Sequence, residues 1–483
     1  MAQITVREVL SVLEDDNLLI SMPSHYEDVT FDNVTYASSE VTTSSLLVCK
    51  GNFKDTYMSD ASSRGLLWYV ADRKFDPHYA GTAQAIIVSD TRKALALIAQ
   101  AFYDYPQNDL VTVGITGTKG KSTTTYFVHA VLNQYFTNKV ALISSVDNCI
   151  DGVTYVESNL TTPESLDLYR MLRQAVDAGL THAVIEVSSQ AYKVDRVYKL
   201  HFNVGAFLNI FPDHISPIEH PSFDDYFACK RQIIFNSDSM VIGADIQHRD
   251  VIESDVTKAG ITATYFKPSD VDRNVVKLAI PGEFNYANAA AALAIARALG
   301  VPVNHDAEAA MNTIRISGRM EVFHGAGNDS HIHVIVDYAH NGISTTSLLD
   351  YVYSTYDVRN ATITLITGSA GNKAYNRRKE IVEAAQSRIS RFVFTTEDTN
   401  TEPNTDIVAH MIDAITDKNV TYDVVLDRSQ AIEKAIEQAR KQVDKLAIIL
   451  IIGKGNERWI KNRNKHIPYE GDDHAVKRIL GLL

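Results

Sequence analysis

The run "VTVGIT" (111–116) reads as a strand, and it is followed at once by "GTKGKS" (117–122) and a helical stretch, "TTTYFVHAVLNQYF" (123–136). A strand that turns through glycines straight into a helix points to a parallel α/β sheet. The loop then stands at the carboxyl end of its strand, where such sheets bind ligands. It is not a Walker A loop. Counting back from Gly120-Lys121-Ser122, the first glycine of G-x-x-x-x-G-K-[ST] would fall on Ile115. The pattern that fits is the shorter G-T-x-G-K-[ST], here Gly117-Thr118-Lys119-Gly120-Lys121-Ser122. Glycines let the backbone approach an anion, the helix start offers free N–H groups, and Lys121 adds charge, so the stretch reads as a phosphate loop. The Ser122 hydroxyl is a candidate Mg2+ ligand. A plain strand-to-helix turn is the bland alternative.

The strand–helix rhythm continues through "VALISS" (140–145), "HAVIEVSS" (182–189), "VGAFLNI" (204–210) and "SMVIGA" (239–244), with helices over 164–178 and 222–235. A second set follows: "HIHVIVDYA" (331–339), "ATITLITG" (361–368), "RFVFTT" (391–396), "YDVVLD" (422–427) and "KLAIILIIGKG" (445–455). It predicts a second, smaller α/β domain. Ahead of both lies a mixed segment with strands in 45–51 and 83–90 and a helix near 91–102. At 483 residues the chain is too long for one core, and the expected domains are 1–107, 108–325 and 326–483.

Hydrophobic residues at 45% and charged residues at 22% are ordinary for a soluble globular protein. A net charge of −13 argues against a general nucleic-acid binder, while local donors can still hold small anionic substrates. Cys49, Cys149 and Cys229 stand far apart, in no metal-ligand spacing, and read as reduced core thiols. The opening "MAQITVREVLSVLEDD" is acidic and helical, unlike a signal peptide, and no window has the ~20 apolar residues of a membrane span. The expectation is a cytoplasmic protein.

Three further features carry chemistry. Glu186 interrupts the apolar run "HAVIEVSS", where a carboxylate is costly unless paired or bound to a cation. "FPDHISP" places Asp213 and His214 just past another strand. In "SFDDYFACKRQIIFN", Ser222 can cap a helix, with Asp224 and Asp225 in its first turn and Phe223, Phe227 and Ile234 on one face. Lys230 falls on that same face. Either its stem is buried and its ammonium reaches an edge, or its charge has been changed, as in a carbamylated lysine.

Taken in order, these motifs resemble the Mur ligase family, which forms amide bonds through an acyl phosphate. The resemblance rests on the glycine loop, "CKGNFK" (49–54), "TTPES" (161–165), "EVSSQ" (186–190) with Asp195-Arg196, and "GEFNYANAAAA" (282–292). It continues through "SGRMEVF" (317–323), "VDYAHNG" (336–342), "GSAGNKAYNRRKE" (368–380) and "GKGNE" (453–457). It implies an α/β, three-domain architecture with a central P-loop-type parallel sheet and a C-terminal Rossmann-like domain. The branch it resembles most adds L-lysine to UDP-N-acetylmuramoyl-L-alanyl-D-glutamate in peptidoglycan precursor synthesis. The implied cofactors are ATP and Mg2+, and the implied partners are the UDP-sugar dipeptide and a free amino acid, with the chain acting as a monomer.

The family roles fall on named residues here. Lys121 and the loop from Gly117 to Ser122, with Thr118, Lys119 and Gly120, would hold the ATP phosphates. Ser122, Glu186 and His214 would hold Mg2+, together with a carbamylated Lys230. Asn285 and Asn288 would read adenine, and Arg319 and Asp337 would meet the nucleotide from the last domain. Ser38, Thr161, Thr162, Ser188 and Arg196 would orient the sugar-peptide. The amino acid would meet Arg377, Arg378, Glu397, Asp398, Gly453 and Glu457, although Arg377 and Arg378 also read as solvated charges at a helix start. "EDTNTE" (397–402) stands where diaminopimelate-adding enzymes carry D-N-P-R; it offers anions and no arginine, which favours lysine or a shorter diamine.

Some positions depart from the family pattern. Ala37-Ser38-Ser39 replaces the D-S-R of the uridine site, Lys119 replaces an asparagine, and Gln190 replaces a histidine. Three alternatives therefore stay open: a relative using L-ornithine or meso-diaminopimelate, a folylpolyglutamate-type ligase, and a nucleotide-binding relative without turnover.

Overall fold

The computed structural model describes residues 2–216 and 219–482, and the chain forms three large sheets. The first has five strands in the spatial order Leu19–Ser21, Gln84–Val88, Trp68–Ala71, Ser45–Val48, Asn33–Thr35. Its edge strand Leu19–Ser21 is antiparallel and the rest are parallel. Leu47, Met58, Tyr69 and Phe75 pack one face of it. The helix Thr91–Phe102 starts where Asp90 accepts hydrogen bonds from the Arg92 and Lys93 N–H groups, at 2.9 and 3.1 Å.

The second sheet has eight strands, with Val111–Thr116 set between His182–Glu186 and Phe202–Phe207. Six neighbouring strands, from Val140–Ile143 to Thr262–Phe266, run parallel. Asp147–Cys149 and Val156–Glu157 extend one edge antiparallel. Val111–Thr116 is buried along nearly its whole length, as its β-branched composition leads one to expect. Gly114 is required there, since a Cβ would fall 2.8 Å from the Phe202 ring. The following helix, Lys121–Phe136, begins two residues ahead of the stretch 123–136 read from the sequence, because Gly120 takes the left-handed cap position at φ 82°. The strand expected over 204–210 runs instead over Phe202–Phe207, so Leu208–Ile210 lie beyond the sheet.

The third sheet orders Glu321–His324, Ile332–Asp337, Leu446–Ile452, Ala361–Thr367, Arg391–Phe394, Thr421–Val424. Only its first strand is antiparallel. Ala431, Ile432 and Ile436 of the helix Arg428–Arg440 and Ala475 and Val476 of Asp472–Leu480 cover one face. The last strand in sequence, Leu446–Ile452, lies in the middle of the sheet, which makes its apolar run nearly continuous.

The chain divides into two compact units. One comprises Met1–Ile210, Phe227–Phe266 and Ala291–Val303, and holds the first two sheets. The other comprises Phe211–Tyr226, Lys267–Ala290 and Asn304–Leu483, and holds the third. Cys49, Cys149 and Cys229 are buried and in no disulfide. Among the described residues, no helix is long and apolar enough to cross a membrane.

Gly318, in the "SGRM" turn of the second unit, has φ 66°, and a Cβ there would fall 2.2 Å from the Asn456 nitrogen. Gly318→Ala must push the turn away from the "GKGN" loop. We expect a loss of about 2–4 kcal/mol from strain and overpacking together. Thermal denaturation checks this, and an unchanged midpoint would contradict the close approach.

Candidate active site

The phosphate loop is braced by a residue that the motif does not contain. Asn209 accepts from the Lys119 N–H at 2.9 Å through Oδ1 and from the Thr118 N–H at 3.0 Å through its carbonyl. Its Nδ2 donates back to the Lys119 carbonyl at 3.0 Å. The only sequence signal for it was a polar residue next to last in the apolar run "VGAFLNI". Lys121 folds over the loop, with Nζ 3.4 Å from the Thr118 carbonyl and 4.0 Å from Glu186 Oε1.

Glu186 is 2% exposed, at the end of its strand. Oε2 accepts from the Ser145 N–H at 3.0 Å and Oε1 from the Ser122 hydroxyl at 3.3 Å. Ser122 and Ser145 hydroxyls lie 2.9 Å apart. The predicted neighbours Ser122 and Glu186 are thus side by side, and their hard oxygen donors suit Mg2+. Lys230 is 2% exposed, and its Nζ donates to the Gly117 carbonyl at 2.8 Å, with the Thr116 hydroxyl at 3.4 Å. The reading in which its ammonium reaches an edge is corrected: the stem runs inward and ends on the loop. Ser222 does begin this helix, its hydroxyl accepting from the Asp225 N–H at 3.2 Å.

In the same unit, buried Thr162 donates to the Glu186 carbonyl at 2.9 Å and accepts from the Ser188 N–H at 3.0 Å. Ser188 caps the short helix Ser189–Lys193, which carries half-buried Gln190. Arg196 reaches Glu164 Oε1 through Nε at 3.1 Å and Nη2 at 2.9 Å, and the Thr162 carbonyl through Nη1 at 3.2 Å. Glu164 Oε2 lies 2.6 Å from Lys50, whose ammonium sits 3.7 Å from the centre of the Tyr36 ring. The Tyr36 hydroxyl donates to Asp167 at 2.7 Å. Burial opposes ionisation of Glu164, but Arg196 and Lys50 outweigh it and hold the carboxyl below its ordinary range. Lys50, Tyr36, Glu164 and Asp167 were not singled out from sequence, because nothing local links residues so far apart. Ser38 and Thr161 are half-buried nearby in sequence to these groups.

In the second unit, His214 has φ 58°, and burial lowers its pKa, which keeps the imidazole neutral and able to ligate a metal. Asp213 is buried and accepts from Arg377 Nε at 3.1 Å, from Arg377 Nη2, and from Asn341 Nδ2 at 3.0 Å. His340 Nε2 lies 3.7 Å from the same carboxylate. Asn285 donates to the Pro281 carbonyl at 2.7 Å, and Asn288 to Asn285 Oδ1 at 2.9 Å, so both amides on this helix face are oriented by neighbours. Asp337 accepts from the Met320 and Ala339 N–H groups at 2.8 and 2.7 Å. Arg319 stacks 4.3 Å above the Tyr338 ring.

Arg377 and Arg378 are both buried, which corrects the reading of solvated helix-start charges. Arg378 pairs with Glu402 through two contacts of 2.8 Å and meets His410 Nδ1 at 2.7 Å. The acidic stretch is likewise not a set of bare anions. Asp398 Oδ1 is 2.8 Å from Lys454 Nζ and accepts from the Lys461 N–H at 2.9 Å. Lys454 also contacts Glu457, which accepts from the Tyr338 hydroxyl at 3.1 Å. Glu397 differs. It is 8% exposed, and among the described residues none donates a hydrogen bond to its carboxylate. Burial pushes its pKa up and Asp398 adds to this, against the charges of Arg428, Lys454 and Arg377. Gly453, with φ 108°, lets it approach: a Cβ there would stand 2.6 Å from Glu397 Oε2.

A glycine loop at the carboxyl end of a parallel sheet, with a buried carboxylate and a lysine beside it, is the arrangement of an α/β protein of the P-loop type. The chain belongs to the Mur ligase family: residues 115–296 match the Mur ligase middle domain, and residues 318–455 match the Mur ligase, glutamate ligase domain. It is 52% identical to the UDP-N-acetylmuramyl-tripeptide synthetase of Bifidobacterium longum, over 94% of this chain and 93% of that protein. It is 36% identical to the UDP-N-acetylmuramoyl-L-alanyl-D-glutamate–L-lysine ligase of Streptococcus thermophilus, over 99% of this chain and 100% of that one. A solved UDP-N-acetylmuramoyl-L-alanyl-D-glutamate–2,6-diaminopimelate ligase shares the fold, with a TM-score of 0.60 at 19% identity over 100% of this chain and 99% of that one. A Mycobacterium tuberculosis folylpolyglutamate synthase, solved with ADP and AMPPCP, covers 80% of this chain and 95% of its own, with a TM-score of 0.59 at 16% identity. The α/β Mur ligase fold expected from the sequence is the fold observed.

Proposed function

We propose that the chain is an ATP-dependent ligase that adds L-lysine to UDP-N-acetylmuramoyl-L-alanyl-D-glutamate. It would act in the cytoplasm, as a monomer, making a peptidoglycan precursor. The observation that carries the choice of amino acid is Glu397, a buried carboxylate to which none of the described residues donates a hydrogen bond, beside Asp398 and Glu457, which share one lysine. A site with surplus negative charge accepts an ammonium and repels a second carboxylate. In this reading residues 1–107 take the UDP-sugar, 108–325 the ATP and 326–483 the amino acid.

The D-Glu carboxylate attacks the γ-phosphorus of ATP, forming an acyl phosphate as ADP leaves. The lysine amine then attacks the acyl carbon, a C–N bond forms, phosphate departs with the former carboxylate oxygen, and the amine proton passes to solvent. Lys121 and the N–H groups of Thr118 to Ser122 hold the β- and γ-phosphates. Ser122, Glu186 and His214 would hold Mg2+, which when bound neutralises charge on the phosphate oxygens. Lys230, carbamylated by addition of carbon dioxide to its amine, places an anion at the loop. Asn285 and Asn288 meet adenine; Arg319 and Asp337 meet the nucleotide. Ser38, Thr161, Thr162, Ser188 and Arg196 orient the muramoyl-peptide. Arg377 is the candidate for the amino-acid carboxylate, Arg378 holds the Glu402 loop in place, and Glu397, Asp398, Gly453 and Glu457 surround the side-chain ammonium.

Phosphate release from ATP with the UDP-sugar dipeptide, measured across L-lysine, L-ornithine and meso-diaminopimelate, tests this reading. Release with lysine and none with diaminopimelate is expected; release with diaminopimelate, or with no amino acid at all, would overturn it. Glu397→Gln should raise the KM for lysine by about tenfold to a hundredfold and leave the KM for ATP unchanged. Because burial raises the Glu397 pKa, kcat/KM for lysine should fall on the acid side at a pH above the ordinary carboxylate range, as the carboxyl takes up its proton. A Glu397→Gln enzyme with the wild-type KM would remove this residue from the site.

A further inference from the structure

The most completely buried ion pair of the second unit is Arg428 with Asp472, both side chains closed to solvent. Arg428 begins the helix Arg428–Arg440 and Asp472 begins Asp472–Leu480. Two contacts join them, Nε to Oδ1 at 2.7 Å and Nη2 to Oδ2 at 2.8 Å, and the Tyr469 hydroxyl donates to Oδ1 at 2.7 Å. A buried pair of this kind gives little net stability over apolar side chains of the same size, so stability alone does not account for it.

The rest of the guanidinium supplies a reason. Nη2 donates to the Ile452 carbonyl at 2.7 Å and Nη1 to the Thr396 carbonyl at 3.3 Å. Those carbonyls belong to the residues just before Gly453 and Glu397, at the carboxyl ends of the strands Leu446–Ile452 and Arg391–Phe394. These two strands are not neighbours, since Ala361–Thr367 lies between them. One planar group therefore spans the gap between two separate walls of the amino-acid subsite.

We propose that Arg428, aimed by Asp472, is the positioning residue of that subsite: it fixes the two peptide groups from which Glu397 and the Gly453–Glu457 loop leave the sheet. The proposal rests on the reading of Glu397 as the ammonium acceptor. Glu397 Oε2 stands so close to Gly453 that a small shift of either strand end would displace the carboxylate. The guanidinium makes four hydrogen bonds in one plane, two to the carboxylate and one to each carbonyl; a lysine ammonium has three donors and no such fixed fork. Arg428 also sets charge. The groups facing Glu397 are Asp398, Arg428, Lys454 and Arg377, and those facing Arg428 are Asp472, Tyr469 and Glu397. Removing the Arg428 cation leaves Glu397 harder to ionise.

The test uses the full chain as wild type, Arg428→Met and Arg428→Lys, with KM for lysine, KM for ATP and the pH profile of kcat/KM for lysine. Arg428→Met should raise the KM for lysine by about tenfold or more, keep that for ATP within about twofold, and move the acid limb to higher pH. Arg428→Lys keeps the charge without the fork, so the limb should stay in place while the KM for lysine still rises. If Arg428→Met does not fold, Arg428→Lys decides alone. A folded variant with the wild-type KM for lysine overturns the proposal. A wild-type enzyme that turns over no lysine overturns the subsite reading itself, and the proposal with it.

Discussion

Lys230→Met should reduce turnover by about a thousandfold or more while the protein remains folded. The side chain lies on a helix whose apolar face includes Phe227 and Ile234, and methionine retains the apolar stem. What is lost is the tip, which ends 2.8 Å from the Gly117 carbonyl. A group placed there acts on whatever the loop holds, in a site where charge is poorly screened. If the tip is a carbamate, isotopically labelled bicarbonate should give a carbamate carbon signal in the wild-type protein and none in Lys230→Met. Added bicarbonate should leave the residual rate of the variant unchanged. Full activity in Lys230→Met would remove the residue from the mechanism.

Glu186→Gln should cost about a hundredfold to a thousandfold in turnover and raise the Mg2+ concentration for half-maximal rate by about tenfold. The amide keeps the volume of the carboxylate in a strand packed on both sides, so the fold has little to repack. It loses the charge that faces Lys121 at 4.0 Å and one of the hard oxygens beside Ser122. A Mg2+ titration of wild type and variant separates the two effects, because a lost metal ligand shifts the midpoint while a lost contact to Lys121 does not. An unchanged midpoint would take Glu186 out of the ion's donor set.

The parts of this site that were legible in the sequence are those set by local spacing. "VTVGIT" followed by "GTKGKS" fixed the strand, the loop and the neighbourhood of Lys121 and Ser122, and the parallel sheet put Glu186 beside them through the adjacent strand. Lys230 was legible as an anomaly on an apolar helix face, yet the inward direction of its stem was not. What escaped were partners supplied by distant elements. Asn209 braces the loop from just past the strand Phe202–Phe207, and Lys50 meets Glu164 from just past Ser45–Val48 of the first sheet. The partners of the acidic stretch escaped for the same reason. "EDTNTE" shows its anions and no arginine in sequence, while Arg378 and Lys454, from other parts of the chain, pair with Glu402 and Asp398. Among the described residues none donates a hydrogen bond to the Glu397 carboxylate, and that distinction depends on the whole packing.

The most direct measurement labels the D-Glu carboxylate of the UDP-sugar dipeptide with heavy oxygen and supplies ATP and L-lysine. Attack by that carboxylate on the γ-phosphorus, followed by the amine, carries one labelled oxygen into the released phosphate and leaves the other in the new amide. The account predicts a tripeptide product by mass together with labelled phosphate, both dependent on lysine. Unlabelled phosphate, or phosphate release without tripeptide, would contradict it.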